Sequence, residues 1–172
     1  AKTGREFYTY WFRTEFDVPE NYKDKIVWLQ VDGINYRAEI WVNGYLLGNM
    51  SGMFKPEYIN ITDFARIGQK NALAIKVYPV DMPGTIKPKQ WGAAGEFHNG
   101  GDGNIWKNIS LYATDKAVIR HPFIKSELSK PNYDLAKETV SVEVTNPTQR
   151  GIKCTVKGEI IGENITFSKD LN

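Results

Sequence analysis

The stretch Ala38-Glu39-Ile40-Trp41-Val42-Asn43-Gly44 decides the fold class. Ala38, Ile40 and Val42 alternate with Glu39, Trp41 and Asn43, the period of two that sends successive side chains to opposite faces of a strand. One face is apolar and the other mixed, as a half-buried antiparallel strand requires. Asn43-Gly44 follows at once, the dipeptide best suited to the positive backbone angles of a two-residue turn. The segment predicts a strand that turns back on itself as a hairpin.

Outward from it the same period returns. Leu73, Ile75 and Val77 alternate with Ala74, Lys76 and Tyr78, and Ile109, Leu111 and Ala113 alternate with Asn108, Ser110 and Tyr112. Ile26 to Val31 is more continuously apolar, the pattern of a strand covered on both faces, and so belongs mid-sheet. Helical signals are sparse. The best is Thr62 to Gly68, where Thr62 can cap, Asp63 suits the positive end of the dipole and Gly68 can terminate about one turn later. Many short strands punctuated by Gly, Pro, Asn and Asp predict an all-β sandwich or barrel, because each strand must bury its apolar face against a second layer.

The texture changes near residue 121. His121-Pro122 interrupts a strand pattern and Pro131-Asn132 marks a turn, after which Thr139 to Val144, Ile152 to Ile161 and Ile165 to Phe167 read as further strands. Residues 1–121 are therefore read as one domain and residues 122–172 as the opening of a second sandwich. That second part holds about four strands, where an immunoglobulin-like domain has about seven, so it is read as cut short.

Composition narrows the function classes. The 172 residues are 41% apolar and 13% aromatic, enough for a real core. Lys and Arg number 22 against 20 Asp and Glu, spread evenly, so no basic stripe points to nucleic acid. No window approaches the run of about 20 apolar residues that a membrane helix needs. The Ala1 start carries no signal peptide, so export is not legible. The single Cys154 allows neither a disulfide nor a cysteine-based zinc site, and His98 and His121 are far apart, so neither metal nor cofactor is expected. Cys154 itself reads as a small buried apolar group.

Several segments together resemble the amino-terminal sugar-binding domain of glycoside hydrolase family 2, the group of β-galactosidases, β-glucuronidases, β-mannosidases and exo-β-glucosaminidases. They are Tyr10-Trp11-Phe12-Arg13 with Thr14, Phe16 and Pro19; Leu29-Gln30-Val31-Asp32-Gly33; Ala38 to Gly44; Asn60-Ile61-Thr62-Asp63; Asn71 to Val77; and Ile105-Trp106-Lys107-Asn108-Ile109. The resemblance covers roughly residues 10–127. It implies a jelly-roll (galactose-binding-like) antiparallel β-sandwich, lacking its first strands, followed by the start of an immunoglobulin-like sandwich. It also implies that the two catalytic glutamates lie in a (β/α)₈ barrel outside this chain. No residue here is then catalytic, although the parent protein would be an enzyme hydrolysing O-glycosyl bonds. The implied partners are that barrel and, in the whole enzyme, a β-linked glycoside, and a periplasmic or extracellular location is favoured.

Sugar recognition sets an aromatic ring against the apolar face of a pyranose and places Asp, Asn, Glu, His or Lys around its hydroxyls. Gln90 to Trp106 concentrates such side chains among closely spaced glycines, in a loop of about 14 residues whose length itself suggests function. In the family, the segment just before a Gly-Ile-aromatic-Arg motif can lend a residue to the rim of the barrel's active site. Here Asn104 stands where Gly is usual and Lys107 where Arg is usual. The expected substrate-binding residues are Asp102, with Asn99 and His98 behind it, together with Trp91 and Glu96. Trp91 either stacks on a sugar or plugs the end of the sandwich. Trp106 is read as structural, and Trp11, Trp28 and Trp41 as core or interface. Glu96 and Asp102 on one glycine-rich loop lack the rigidity that a hydrolytic carboxylate pair needs.

Two other classes stay open: an autonomous carbohydrate-binding module or lectin, and an adhesion or scaffold sandwich without a sugar role. Four Asn-x-Ser/Thr triplets, at Asn49, Asn60, Asn108 and Asn164, are read as chance. A body shaped to pack against a barrel leaves apolar faces and strand edges open when alone, which predicts self-association.

Overall fold

The computed structural model describes residues 9–78, 104–148 and 150–171, and the site residues expected between 90 and 103 lie outside that set. The chain forms two compact units, Ala1–Ala113 and Thr114–Asn172. No α-helix occurs among the described residues.

The first unit contains strands β1 (Tyr10–Asp17), β2 (Ile26–Val31), β3 (Ile34–Asn35), β4 (Arg37–Val42), β5 (Tyr45–Ser51), β6 (Glu57–Asn60), β7 (Lys70–Tyr78), β8 (Asn104–Ile105) and β9 (Ile109–Thr114). They make a four-stranded sheet in the order β1-β7-β4-β5, a three-stranded sheet β6-β2-β9 and a two-stranded ladder β3-β8. The antiparallel register pairs Ala38 with Val77, Ile40 with Ile75 and Val42 with Leu73. Directly opposed residues share a face, so the two apolar sets read from the sequence become one apolar surface. Against it lie Val27, Leu29 and Val31 of β2, and all of these side chains are buried in a single cluster. Each such branched side chain contributes about 1.5–3 kcal/mol by leaving water. The continuously apolar β2 occupies the middle of its sheet, as its pattern required. In β9, Ile109 and Leu111 are half-buried against the same core.

The Asn43-Gly44 turn forms as predicted. Val42 pairs with Tyr45 across it, with φ of 51° at Asn43 and 88° at Gly44. The side chain of Asn43 then ties the turn to the start of β7. Its Nδ2 donates to Phe64 O (2.7 Å) and to Asn71 Oδ1 (2.8 Å), and its Oδ1 accepts from Ala72 N (2.9 Å).

The short helix expected over Thr62 to Gly68 does not form, and its cap is misassigned. Thr62 Oγ1 accepts from Val27 N (3.0 Å) and donates to Asn60 Oδ1 (2.6 Å) instead of accepting from an amide of the following turn, while Asn60 Oδ1 also accepts from Thr62 N (3.0 Å). One turn closes when Phe64 N and Ala65 N donate to Ile61 O at 2.9 and 2.8 Å. The next amide, Arg66 N, is captured by Asn71 Oδ1 at 2.7 Å, so no helix propagates. Asn71 Nδ2 donates in turn to Arg66 O and Gln69 O at 2.9 and 2.8 Å. A buried carboxamide thus outcompetes the helical ladder.

In the second unit β10 (Val118–Leu128) pairs antiparallel with β11 (Ala136–Thr145), and β12 (Cys154–Ile160) with β13 (Ile165–Leu171). His121-Pro122 does not end its strand. It sits in a bulge between Arg120 and Phe123, with His121 at φ 50°. Cys154 is half-buried rather than buried, and among the described residues β12 pairs only with β13. Phe123, Ile124 and Leu135 are each more than 60% exposed.

Asn71 is 2% exposed, and its removal strands Arg66 N, two carbonyls and an Asn43 amide hydrogen. Asn71→Ala is expected to lower the stability of the first unit by about 2–4 kcal/mol, measured as a shift of the urea transition followed by tryptophan fluorescence. An unchanged midpoint would refute the role given to this carboxamide.

Candidate functional site

Residues 79–103 join β7 to β8, and the structure fixes both ends of that connection. On the outgoing side Tyr78, the last residue of β7, pairs with Arg37, the first of β4. On the returning side Asn104 and Ile105 of β8 pair with Asn35 and Ile34 of β3. Only Tyr36 separates Asn35 from Arg37, so both roots are held on one short piece of backbone at the same end of the sandwich. Ile34 and Asn35 are fully buried, which makes that piece part of the core rather than a loop.

The returning root is clamped by Trp106. Its Nε1 donates to Met53 O at 3.1 Å, and its ring meets the ring of Phe54 edge-on at 5.3 Å and 79°. Lys107 Nζ lies 4.7 Å from the Trp106 ring centroid, and Trp106 N donates to Gly33 O at 3.3 Å. The indole lies so close over Gly33 that a Cβ there would stand 2.7 Å from Nε1 and 2.8 Å from Cε2. Glycine is therefore demanded by close approach, and Trp106 has the structural role read for it.

The outgoing root is polar. Tyr78 is buried, and its hydroxyl donates to Glu39 Oε1 at 2.6 Å. Arg37 Cζ and Lys76 Nζ lie over its ring at 4.7 and 4.8 Å from the centroid. This carboxylate, phenol and two cations can position a connection and contact polar groups of a ligand. Their signal was present in the sequence, since Arg37 and Glu39 alternate with Ala38 and Ile40, and Lys76 and Tyr78 with Ile75 and Val77. Alternation marks them as the outward set, but which of them meet depends on the register of β4 against β7, which is not a local property.

Asp102, Asn99, His98, Glu96 and Trp91 all fall in residues 79–103, outside the described residues. Trp28 is buried in the core and Trp41 is half-buried. Trp11, expected in a core or an interface, is 49% exposed. A second feature is a cavity of about 290 Å³ between β5 and β6, rimmed by Asn49, Glu57, Tyr58 and Asn60 over Ile40 and Met50. Sequence reading missed it, since it arises where the edges of two sheets meet. Among the described residues no cluster of three or more His, Cys, Asp or Glu is placed to hold a metal ion.

Residues 4–105 match the family described as glycosyl hydrolase 2 galactose-binding domain-like, and the chain belongs to that family. Its curated relatives are glycoside hydrolases. A mannosylglycoprotein endo-beta-mannosidase of Lilium longiflorum is 38% identical over 176 residues, covering 90% of this chain and 18% of that protein. A beta-galactosidase of Clostridium acetobutylicum is 26% identical over 164 residues, covering 92% of this chain and 17% of that protein. The crystal structure of an exo-chitosanase from Amycolatopsis orientalis shares the fold with a TM-score of 0.73 at 22% identity, over 94% of this chain and 19% of that one. The chain thus spans less than one fifth of each of these proteins.

Gly33→Ala is expected to push the Trp106 indole off Met53 O and to lower stability by about 1–3 kcal/mol, the usual range for overpacking. The check is a shift in tryptophan emission together with the unfolding midpoint. An alanine variant with wild-type emission and stability would contradict the clamp.

Proposed function

We propose that this chain is the non-catalytic accessory part of a family 2 β-glycosidase, in which residues 79–103 line the sugar pocket of a catalytic barrel lying elsewhere in the same protein. The observation that carries the reading is the anchoring of both loop roots on buried backbone between Asn35 and Arg37. A loop that must present side chains to a neighbour's substrate needs rigid ends, because sites built on ordered elements hold geometry better than sites on loops alone. Asp102 is assigned the principal sugar contact, with Asn99 and His98 beside it and Glu96 and Trp91 farther along the segment. Glu39, the carboxylate at the described root, is engaged by Tyr78, which suits a supporting role.

The second unit is read as the opening of an immunoglobulin-like sandwich. Its exposed Phe123, Ile124 and Leu135 then belong to faces that further strands or a second copy cover, and self-association of the isolated chain follows from that. The name of the Lilium longiflorum relative makes β-linked mannosides the first substrates to try. A second reading, an independent carbohydrate-binding module, draws on the cavity rimmed by Asn49, Glu57, Tyr58 and Asn60.

The isolated chain is expected to turn over no aryl β-glycoside, while the whole protein does. Asp102→Ala in the whole protein is expected to lower kcat/KM by roughly tenfold or more, equivalent to about 1.4 kcal/mol of lost transition-state binding. Wild-type kinetics in that variant would remove Asp102 from the site, and turnover by the isolated chain would sink the accessory reading. Titration of the isolated chain with β-linked oligosaccharides, followed by tryptophan fluorescence, separates the two readings, since saturable binding at millimolar or lower concentration favours the independent module. Light scattering that gives a monomer at high concentration would contradict self-association.

A further inference from the structure

The hairpin between β4 and β5 places a chemically fragile dipeptide where the fold calls for it. Both turn residues have positive φ, 51° at Asn43 and 88° at Gly44, a geometry that favours Asn-Gly, Asp-Gly and Gly-Gly. The hydrogen bonds select among these three. Asn43 Nδ2 gives one hydrogen to Phe64 O and one to Asn71 Oδ1, and Asn43 Oδ1 accepts from Ala72 N. A glycine would make none of these bonds. An aspartate would set an acceptor against Phe64 O and Asn71 Oδ1, which are acceptors themselves. Asn-Gly therefore remains, and its carboxamide is open to attack by its own backbone. Glycine has no Cβ to shield its amide nitrogen, and at the exposed Gly44 nothing lies within 4 Å of where a Cβ would stand.

We infer that Asn43-Gly44 is a guarded deamidation site, converted to aspartate and isoaspartate only while the hydrogen bonds around Asn43 are open. In the reaction Gly44 N bonds to Asn43 Cγ as the Cγ–Nδ2 bond breaks, and ammonia leaves with the proton that Gly44 N gives up. Water then opens the succinimide ring. Attack at the side-chain carbonyl yields aspartate, and attack at the main-chain carbonyl of residue 43 yields isoaspartate. Nothing is oxidised or reduced, and water is the sole co-reactant. For the first bond to form, the carboxamide has to swing towards Gly44 N and away from Phe64, Asn71 and Ala72, so three hydrogen bonds must break together. At the usual net strength of such bonds, that requirement lowers the reactive population roughly hundredfold. Neither product can restore the two bonds that Nδ2 made, and isoaspartate also lengthens the main chain by one carbon inside a two-residue turn. Modification thus makes a transient opening of this end of the sandwich permanent.

The test is peptide mapping by mass spectrometry of the whole protein, held at mildly alkaline pH in native buffer and in concentrated urea. Hydrogen exchange at Ala72 N is followed in parallel at single-residue resolution. That amide reports on the guard directly, because its acceptor is Asn43 Oδ1. Deamidation at Asn43 is expected to be roughly hundredfold slower in native buffer than in urea, and the slowing is expected to match the protection of Ala72 N within about tenfold. Asn71→Ala, which removes one partner of the carboxamide, is expected to raise the native rate at Asn43 roughly tenfold, with circular dichroism checking that the variant folds. Three results overturn the inference: native deamidation at the urea rate, a slowing more than about tenfold away from the protection of Ala72 N, or a folded Asn71→Ala that deamidates no faster than wild type. Where Asn71→Ala fails to fold, the wild-type comparison with Ala72 N decides by itself.

Discussion

The register of β4 against β7 is the constraint from which the rest of the first unit follows. Pairing Ala38 with Val77, Ile40 with Ile75 and Val42 with Leu73 puts six apolar side chains on one face, where β2 covers them. By the same parity it puts Arg37, Glu39, Trp41, Lys76 and Tyr78 on the other face. A slip of one residue would exchange the two sets, burying charge and exposing valine, so the cost of misregister is the whole core. The outer surface is as firmly specified as the interior.

That register is held at both ends by different means. At the Asn43 end, two carboxamides bind the hairpin turn, the 61–66 turn and the start of β7 into one network. These hydrogen bonds are valuable mainly because their absence would leave buried amides unpaired. At the Tyr78 end, fixation comes from the β3-β8 ladder, the Trp106 indole on Gly33 and the Tyr78–Glu39 contact. The loop roots inherit their rigidity from this second end. The accessory role proposed above draws on that arrangement, since a segment of 25 residues presents a defined side chain to a neighbour only when its ends are held.

The two units differ in completeness. In the first, β2 lies between two strand partners over a closed core, whereas each ladder of the second has two strands and leaves large apolar side chains in solvent. Hydrophobic burial within the described strands does not close such a unit.

Local signals in the sequence carried strand identity, the inward sets of β4 and β7, the central position of β2 and the Asn43-Gly44 turn. All of these follow from nearest-neighbour stereochemistry and a period of two, which need no knowledge of distant residues. The family was legible for the same reason, because its motifs are these strands and turns. Tertiary structure alone decided the fate of residues 62–68, where Asn71 takes the amide that a helix would have used, and the pressing of Trp106 onto Gly33 some seventy residues earlier. It alone brought Trp11 of β1 beside Trp41 of β4 across an intervening strand. Each of these depends on which strands become neighbours, and strand order is set by how two apolar faces close on one another, a global condition that no short stretch of sequence contains.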